Sequence, residues 1–326
     1  MATLKQKIDF LSTPQSYPFG PKSVTPIETH MSWVFLAGDF VYKFKKPARF
    51  PFLDFTTLAA RRANCTEELR LNRRLARETY LRILPLTEMP NGTLCFGGDD
   101  DVVEWLVEMN HLPNELMLNI LISTGALSRE DVRKVGRKLA GFYRDCTPQI
   151  ADGHLYLGHL ETEHVVNRRL LTDRHLGLGD AATRALVDRC SRQFARARAE
   201  IEARIAKGFI VEGHGDLRPE HICVSTPVQI LDCLEFDRNM RILDPYDEMN
   251  YLGLECAYIG VPWIGPSLLQ ALNTQLGSPP SPTLLHFYNT FRALLRARIC
   301  IAHLLDAHTP KPDVWPQRAR AYLAMV

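Results

Sequence analysis

The chain has 326 residues, 46% apolar and 23% charged, with a formal net charge of +2, the make-up of a globular protein with room for two domains or one two-lobed domain. So even a charge balance gives no global argument for a nucleic-acid or membrane-surface partner. No apolar run approaches the ~18 residues of a membrane span, and MATLKQKIDFLSTP lacks the apolar core of a signal peptide, so the expected location is the cytoplasm.

Residues 31–46, MSWVFLAGDFVYKFKK, hold two apolar runs broken at Ala37-Gly38-Asp39, the pattern of a β-hairpin. Residues 55–76 follow with Leu58, Arg62, Cys65, Leu69, Asn72 and Leu75 at helical spacing. LRILPLTEMPNGTLCFG reads as strand with a turn at Pro90-Asn91-Gly92. DVVEWLVEM, residues 101–109, is a further apolar run interrupted by Glu104 and Glu108. Beyond it the pattern turns helical. Ser128 and Asp131 have capping-box spacing, and Val132, Val135, Leu139 and Phe142 share one face. A second helix is expected from Ala181 to Lys207, with Leu186, Cys190, Phe194, Ile201 and Ile205 inward. Its arginines read as a solvated face, since the aromatic partners of a nucleic-acid site are missing. The eight cysteines are scattered without a C-x-x-C pair, which predicts reduced, mostly buried thiols.

The strand-rich part gives way to the helical part near Asn110. The expectation is an α+β chain with an N-terminal lobe over 1–109, a C-terminal lobe over 110–326, and a ligand cleft between them.

The chemistry gathers in FIVEGHGDLRPEHICV, residues 209–224, and VQILDCLEFDRNMRILDPYDEMN, residues 228–250. Ile222–Val224 and Val228–Leu231 flank the turn Ser225-Thr226-Pro227 and are expected to pair. That would bring Asp216 and His221, before the first strand, near Asp232, after the second. Arg292 and Arg296 stand four apart on one helix and are expected to pair with acids such as Asp244 and Asp247, or else to face an anionic substrate.

HGDLRPEHICV followed by ILDCLEF resembles the catalytic and metal-binding loops of the aminoglycoside phosphotransferase and choline kinase superfamily, which has the two-lobed protein-kinase-like fold. Val41-Tyr42-Lys43 resembles its lysine strand, the helix bearing Glu67 and Glu68 the one that supplies the lysine's partner, and EWLVEMNHLP the adenine-binding hinge. VYKFKKP, FLDFTTL, EELRLNRRLA, HGDLRPEHI and DCLEF together look like an uncharacterised bacterial branch whose members are often fused to a P-loop ATPase domain. No G-x-x-x-x-G-K-[ST] occurs in this chain, so such an ATPase would be a separate partner.

The resemblance implies ATP with Mg²⁺ or Mn²⁺ and phosphoryl transfer to a hydroxyl of a small-molecule acceptor. Phosphoryl transfer asks mainly for positioning and charge neutralisation. Lys43 would hold phosphates, with Lys45 on the same strand face as fallback and Glu67 or Glu68 as its partner. Thr29 and Ser32 would cover the phosphates, while Glu108 and Met109 would line the hinge. Asp216 would be the base, His214 its brace, and Asp232 and His221 the metal ligands. His221 stands where the family has Asn. Its nitrogen suits manganese or zinc better than magnesium, unless it donates to a phosphate instead. Two other readings remain: a pseudokinase-like nucleotide-binding module, and a metal-dependent hydrolase using His214, Asp216, His221 and Asp232. The hydrolase leaves Lys43 unexplained.

Overall fold

A computed structural model describes residues 2–50, 53–98, 101–305 and 313–326; Phe52 of FLDFTTL lies outside them. In chain order the elements are α1 (Leu4–Ser12), β1 (Val24–Glu28), β2 (Ser32–Ala37), β3 (Phe40–Lys45), β4 (Arg49–Phe50), β5 (Leu53–Asp54), α2 (Leu58–Asn72), β6 (Tyr80–Glu88), β7 (Leu94–Phe96) and β8 (Asp101–Asn110). There follow α3 (Leu118–Ser123), α4 (Arg129–Asp145), α5 (Gly153–Leu171), α6 (Ala181–Ala206), β9 (Val211–Glu212), β10 (Ile222–Cys223), β11 (Gln229–Ile230), β12 (Ile242–Leu243), α7 (Pro245–Tyr258), α8 (Ile264–Leu276), α9 (Pro282–Ala302) and α10 (Val314–Leu323).

Two compact units emerge. The first is Met1–Met117 with Ile222–Phe236, the second Leu118–His221 with Asp237–Val326. The division differs from the sequence boundary near Asn110. Val224 N–H donates to the Leu116 carbonyl, and Met117 pairs with Cys223 across an antiparallel bridge. These backbone bonds tie the β10–β11 hairpin to the first unit.

In the first unit six strands form an antiparallel sheet in the order β1-β2-β3-β8-β6-β7. The expected hairpin is β2–β3, turning at Gly38-Asp39 with Val34 opposite Lys43. Alternation sorts the side chains of β3. Tyr42 and Phe44 enter a core with Leu11, Tyr17 and Phe35 on one face. Val41 enters a second core with Cys65 of α2, Val107 and Met109 on the other, the face that Lys43 and Lys45 share.

The buried face of α2 is Arg61, Asn64, Cys65, Glu68, Leu71 and Asn72. Of the expected stripe Cys65 and Asn72 belong to it, Leu69 packs partly buried against the second core and Leu75 is buried just past the helix, while Arg62 is exposed. The reason is polar: Arg61 reaches buried Glu104 at 2.6 Å, and Lys7 of α1 reaches the same carboxylate at 2.9 Å.

The second unit is helical. Its α4 starts on the expected capping box of Ser128 and Asp131 and buries Val132, Val135 and Leu139. Tyr143 is buried where Phe142 was expected. Its main core joins α5, α6, α9 and α10 through Tyr156, Val187, Ile201, Phe287, Leu294 and Tyr322. Arg204 departs from the solvated face assigned to the α6 arginines: it is buried, with Nη2 3.0 Å from Asp244. All eight cysteines are free thiols. Among the described residues no helix is long and apolar enough to cross a membrane.

Candidate functional site

Within the first unit, alternation along β3 puts Lys43 and Lys45 on the face toward α2, and one carboxylate answers both. Glu68, fully buried, lies with Oε1 2.8 Å from Lys43 Nζ and Oε2 2.7 Å from Lys45 Nζ. The lysines then diverge. Lys43 Nζ donates to Asp232 Oδ1 at 3.1 Å and Lys45 Nζ to Glu235 Oε1 at 2.5 Å. Three carboxylates therefore share these two ammoniums.

Burial works against charge at each position, and the partners outweigh it. Asp232, Glu68 and Glu235 hold Lys43 well above its ordinary pKa despite desolvation. Lys45 is likewise raised against burial, by Glu68 and Glu235, with Lys43 opposing. Burial pushes the Glu68 carboxyl up, but Lys43 and Lys45 together hold it below its usual value.

Asp232 follows β11, which pairs with β10 as expected; Ile222 stands opposite Ile230. Asp232 is a non-glycine residue with φ of 61°, a left-handed backbone that costs on the order of 1 kcal/mol. Neighbours hold it there. Asp232 N–H donates to the Tyr80 hydroxyl at 3.2 Å, and Cys233 N–H to Asn72 Oδ1 at 2.8 Å. Asn72 Nδ2 in turn donates to the Glu68 carbonyl, so one amide ties the end of α2 to this segment. The Asp232 side chain is 45% exposed.

Within the second unit, the loop 214–221 hangs on Glu248 of α7. Its carboxylate accepts His214 N–H at 2.9 Å, Gly215 N–H at 2.5 Å and the Tyr143 hydroxyl at 2.6 Å. Gly215 has φ of 90°, and a Cβ on Gly213 would stand 2.5 Å from Glu248 Oε2. Both glycines are therefore required by the turn. Burial raises the Glu248 carboxyl above its ordinary value, offset only in part by these donors.

His214 is fully buried, and its Nδ1 accepts Asp216 N–H at 3.3 Å. Arg218 gathers what surrounds Asp216: Nε lies 3.1 Å from Asp216 Oδ1, Nη1 2.7 Å from Glu220 and Nη2 3.1 Å from His221 Nε2. Burial would lower the guanidinium's pKa, but Asp216 and Glu220 hold it raised. His221 Nδ1 lies 2.8 Å from the Asp216 carbonyl. A carbonyl only accepts, so Nδ1 carries the proton and Nε2 accepts from Arg218. A metal on Nε2 would have to displace Arg218. Among the described residues no group of three or more His, Cys, Asp or Glu side chains is set to hold a metal.

Other expected residues are placed differently. Glu68, not Glu67, meets the lysines; Glu67 points away on α2 and pairs with Arg70. Thr29 and Ser32 close the β1–β2 turn, where Thr29 Oγ1 accepts Ser32 N–H at 3.0 Å. The Glu108 carboxylate takes the Tyr42 hydroxyl at 2.9 Å and Arg82 across neighbouring strands. Met109 packs into the core with Val41 and Tyr80, because β8 is a central strand there. Glu248, Arg218, Asn72 and Tyr80 escaped the sequence reading. Only Glu248 left a signal, as an acid inside the apolar pattern of residues 245–258.

The remaining acids of α7 and its N-cap Asp244 each have their own cation. Asp247 takes Arg292 through both oxygens at 2.8 and 2.6 Å, Asp244 takes Arg204, and Glu255 lies 3.0 Å from Arg296. Of the pairing expected between Arg292 or Arg296 and Asp244 or Asp247, Arg292–Asp247 forms, while Arg296 meets Glu255 and Asp244 meets Arg204.

No protein-family model matches the sequence. Over 278 residues the chain is 30% identical to an uncharacterized protein of Mycobacterium tuberculosis and, equally, to one of Mycobacterium bovis. The match takes in 83% of this chain and 53% of each relative, so the chain spans about half the length of the curated relatives it matches. Among solved structures, a choline/ethanolamine kinase family protein from Mesorhizobium loti superposes with a TM-score of 0.60 at 13% identity, covering 98% of this chain and 94% of that one. The GDP complex of an aminoglycoside 2'-phosphotransferase superposes with a TM-score of 0.56 at 14% identity, covering 99% and 98%. At such identities the likeness is one of fold. The chain has the kinase-like α+β fold, an antiparallel N-terminal sheet followed by a mostly helical region.

Proposed function

We propose that this chain is an ATP-dependent phosphotransferase that moves the γ-phosphoryl group to a hydroxyl of a small-molecule acceptor. The observation that carries the reading is the Lys43–Glu68 ion pair with Asp232 on the same ammonium. A strand-borne lysine oriented by a buried carboxylate is what positioning of phosphates requires. Asp232 offers a half-exposed hard oxygen, which fits Mg²⁺ or Mn²⁺. A divalent ion bound there would neutralise phosphate charge. Lys43 orients the phosphates, and Asp216 accepts the proton of the attacking hydroxyl. Glu248, His214 and His221 fix the backbone on which Asp216 sits. A P-loop ATPase acting beside this chain belongs to the same reading.

The test is ATP binding and turnover across an acceptor panel. Lys43→Ala is expected to weaken ATP binding strongly. Asp216→Asn is expected to keep ATP affinity and lose about a hundredfold in kcat. Unchanged binding and turnover in Lys43→Ala would defeat the assignment. The second reading, a nucleotide-binding module without turnover, rests on the two engaged nitrogens of His221. It predicts ATP binding with no phosphorylated product for any acceptor. A shift of metal preference toward magnesium in His221→Asn would restore His221 as a ligand.

A further inference from the structure

Resting on the phosphotransferase reading, the structure assigns the Lys45–Glu235 pair as a latch that keeps Asp232 presented when Lys43 turns to the nucleotide. The two lysines have different surroundings. The Lys43 side chain is 14% exposed and its second partner, Asp232, is 45% exposed; Lys45 is 2% exposed and Glu235 only 7%. Lys43 therefore sits at the open side of the charge group and Lys45 at its closed side.

A phosphate on Lys43 and a cation on Asp232 would both compete with the Lys43–Asp232 contact. Once that contact is given up, Asp232 keeps a left-handed backbone and loses one of its anchors. Anchors that do not involve Lys43 include Tyr80 on the Asp232 amide, Asn72 on the Cys233 amide, Arg74 Nη2 3.4 Å from Cys233 Sγ, and Lys45 on Glu235. Lys45–Glu235 is the buried ion pair among these. Lys45 also stays on Glu68 Oε2, so Glu68 remains neutralised while Lys43 is engaged elsewhere. Lys45 and Glu235 are thus positioning residues acting through Asp232, and Lys45 is no substitute for Lys43.

The experiment titrates wild type, Lys43→Ala, Lys45→Met, Lys45→Arg and Glu235→Gln calorimetrically, with ATP alone and then with manganese at saturating ATP. Folding of each variant is checked by circular dichroism. Lys45→Met and Glu235→Gln are expected to need roughly tenfold more manganese for half-saturation, with metal-free ATP affinity within about twofold of wild type. Lys45→Arg keeps the charge and is expected to restore most of the manganese affinity. Lys43→Ala is expected to lose ATP affinity first. Should Lys45→Met fail to fold, amide hydrogen exchange of Cys233 in Glu235→Gln with ATP bound serves instead, and faster exchange than in wild type is expected. A folded Glu235→Gln with wild-type manganese affinity and wild-type exchange overturns the latch alone. A wild-type chain that binds no ATP removes the phosphotransferase reading and the latch with it.

Discussion

Glu68 in the first unit and Glu248 in the second are both buried glutamates among candidate site residues, and they are held in opposite ways. Glu68 faces two ammoniums, which keep its carboxyl below the ordinary range. Glu248 faces two backbone N–H groups and a phenol, and burial carries its carboxyl above that range. Full charges outweigh desolvation where dipoles do not. The first unit thus fixes Asp232 through a charge group whose members depend on one another, while the second fixes Asp216 through a carboxylate that could serve with or without its proton.

The largest expected effect separates the two. Glu68→Gln leaves two buried lysines short of a carboxylate and is expected to cost roughly 3 kcal/mol in urea unfolding. Glu248→Gln keeps an acceptor oxygen for the loop and is expected to cost about 1 kcal/mol. Equal losses would erase the distinction.

The pH dependence sharpens it through the opposite directions of the two shifts. A lowered carboxyl contributes stability that is present above its ordinary value of 4.5 and is lost as pH falls through the folded value. The deficit of Glu68→Gln against wild type should therefore shrink below about pH 4.5. A raised carboxyl contributes stability that is complete below 4.5 and is lost as pH rises through the folded value. The deficit of Glu248→Gln should therefore shrink in the other direction, from acid toward neutral pH. Urea unfolding between acid and neutral pH reads both, and deficits moving the same way would contradict the assigned environments.

The smallest effect concerns backbone. Both Asp232→Gly and Asp232→Ala remove one of the two carboxylates on Lys43, but only glycine accepts φ of 61° without strain. Asp232→Gly is expected to be the more stable of the two by about 1 kcal/mol or less in thermal unfolding. An alanine variant as stable as the glycine one would mean that the segment relaxes, and that its anchors do not fix the left-handed turn.

Periodicity and turn chemistry by themselves determined the β2–β3 hairpin, the α4 capping box, the β10–β11 pairing and the common face of Lys43 and Lys45. Each rests on contacts between residues near in the chain or on the twofold alternation of a strand. The motif HGDLRPEH likewise marked Asp216 and His214 as members of one loop. Tertiary structure alone decided which face of α2 is buried, because that face is closed by ion pairs to β3 and β8 and its pattern is not apolar. It chose Glu68 over Glu67 for the same reason. It turned His221 inward onto the Asp216 carbonyl and Arg218, and it placed Glu248 under the loop from 34 residues away. Burial of charge depends on where a partner stands in space, and composition along the chain carries no record of that distance.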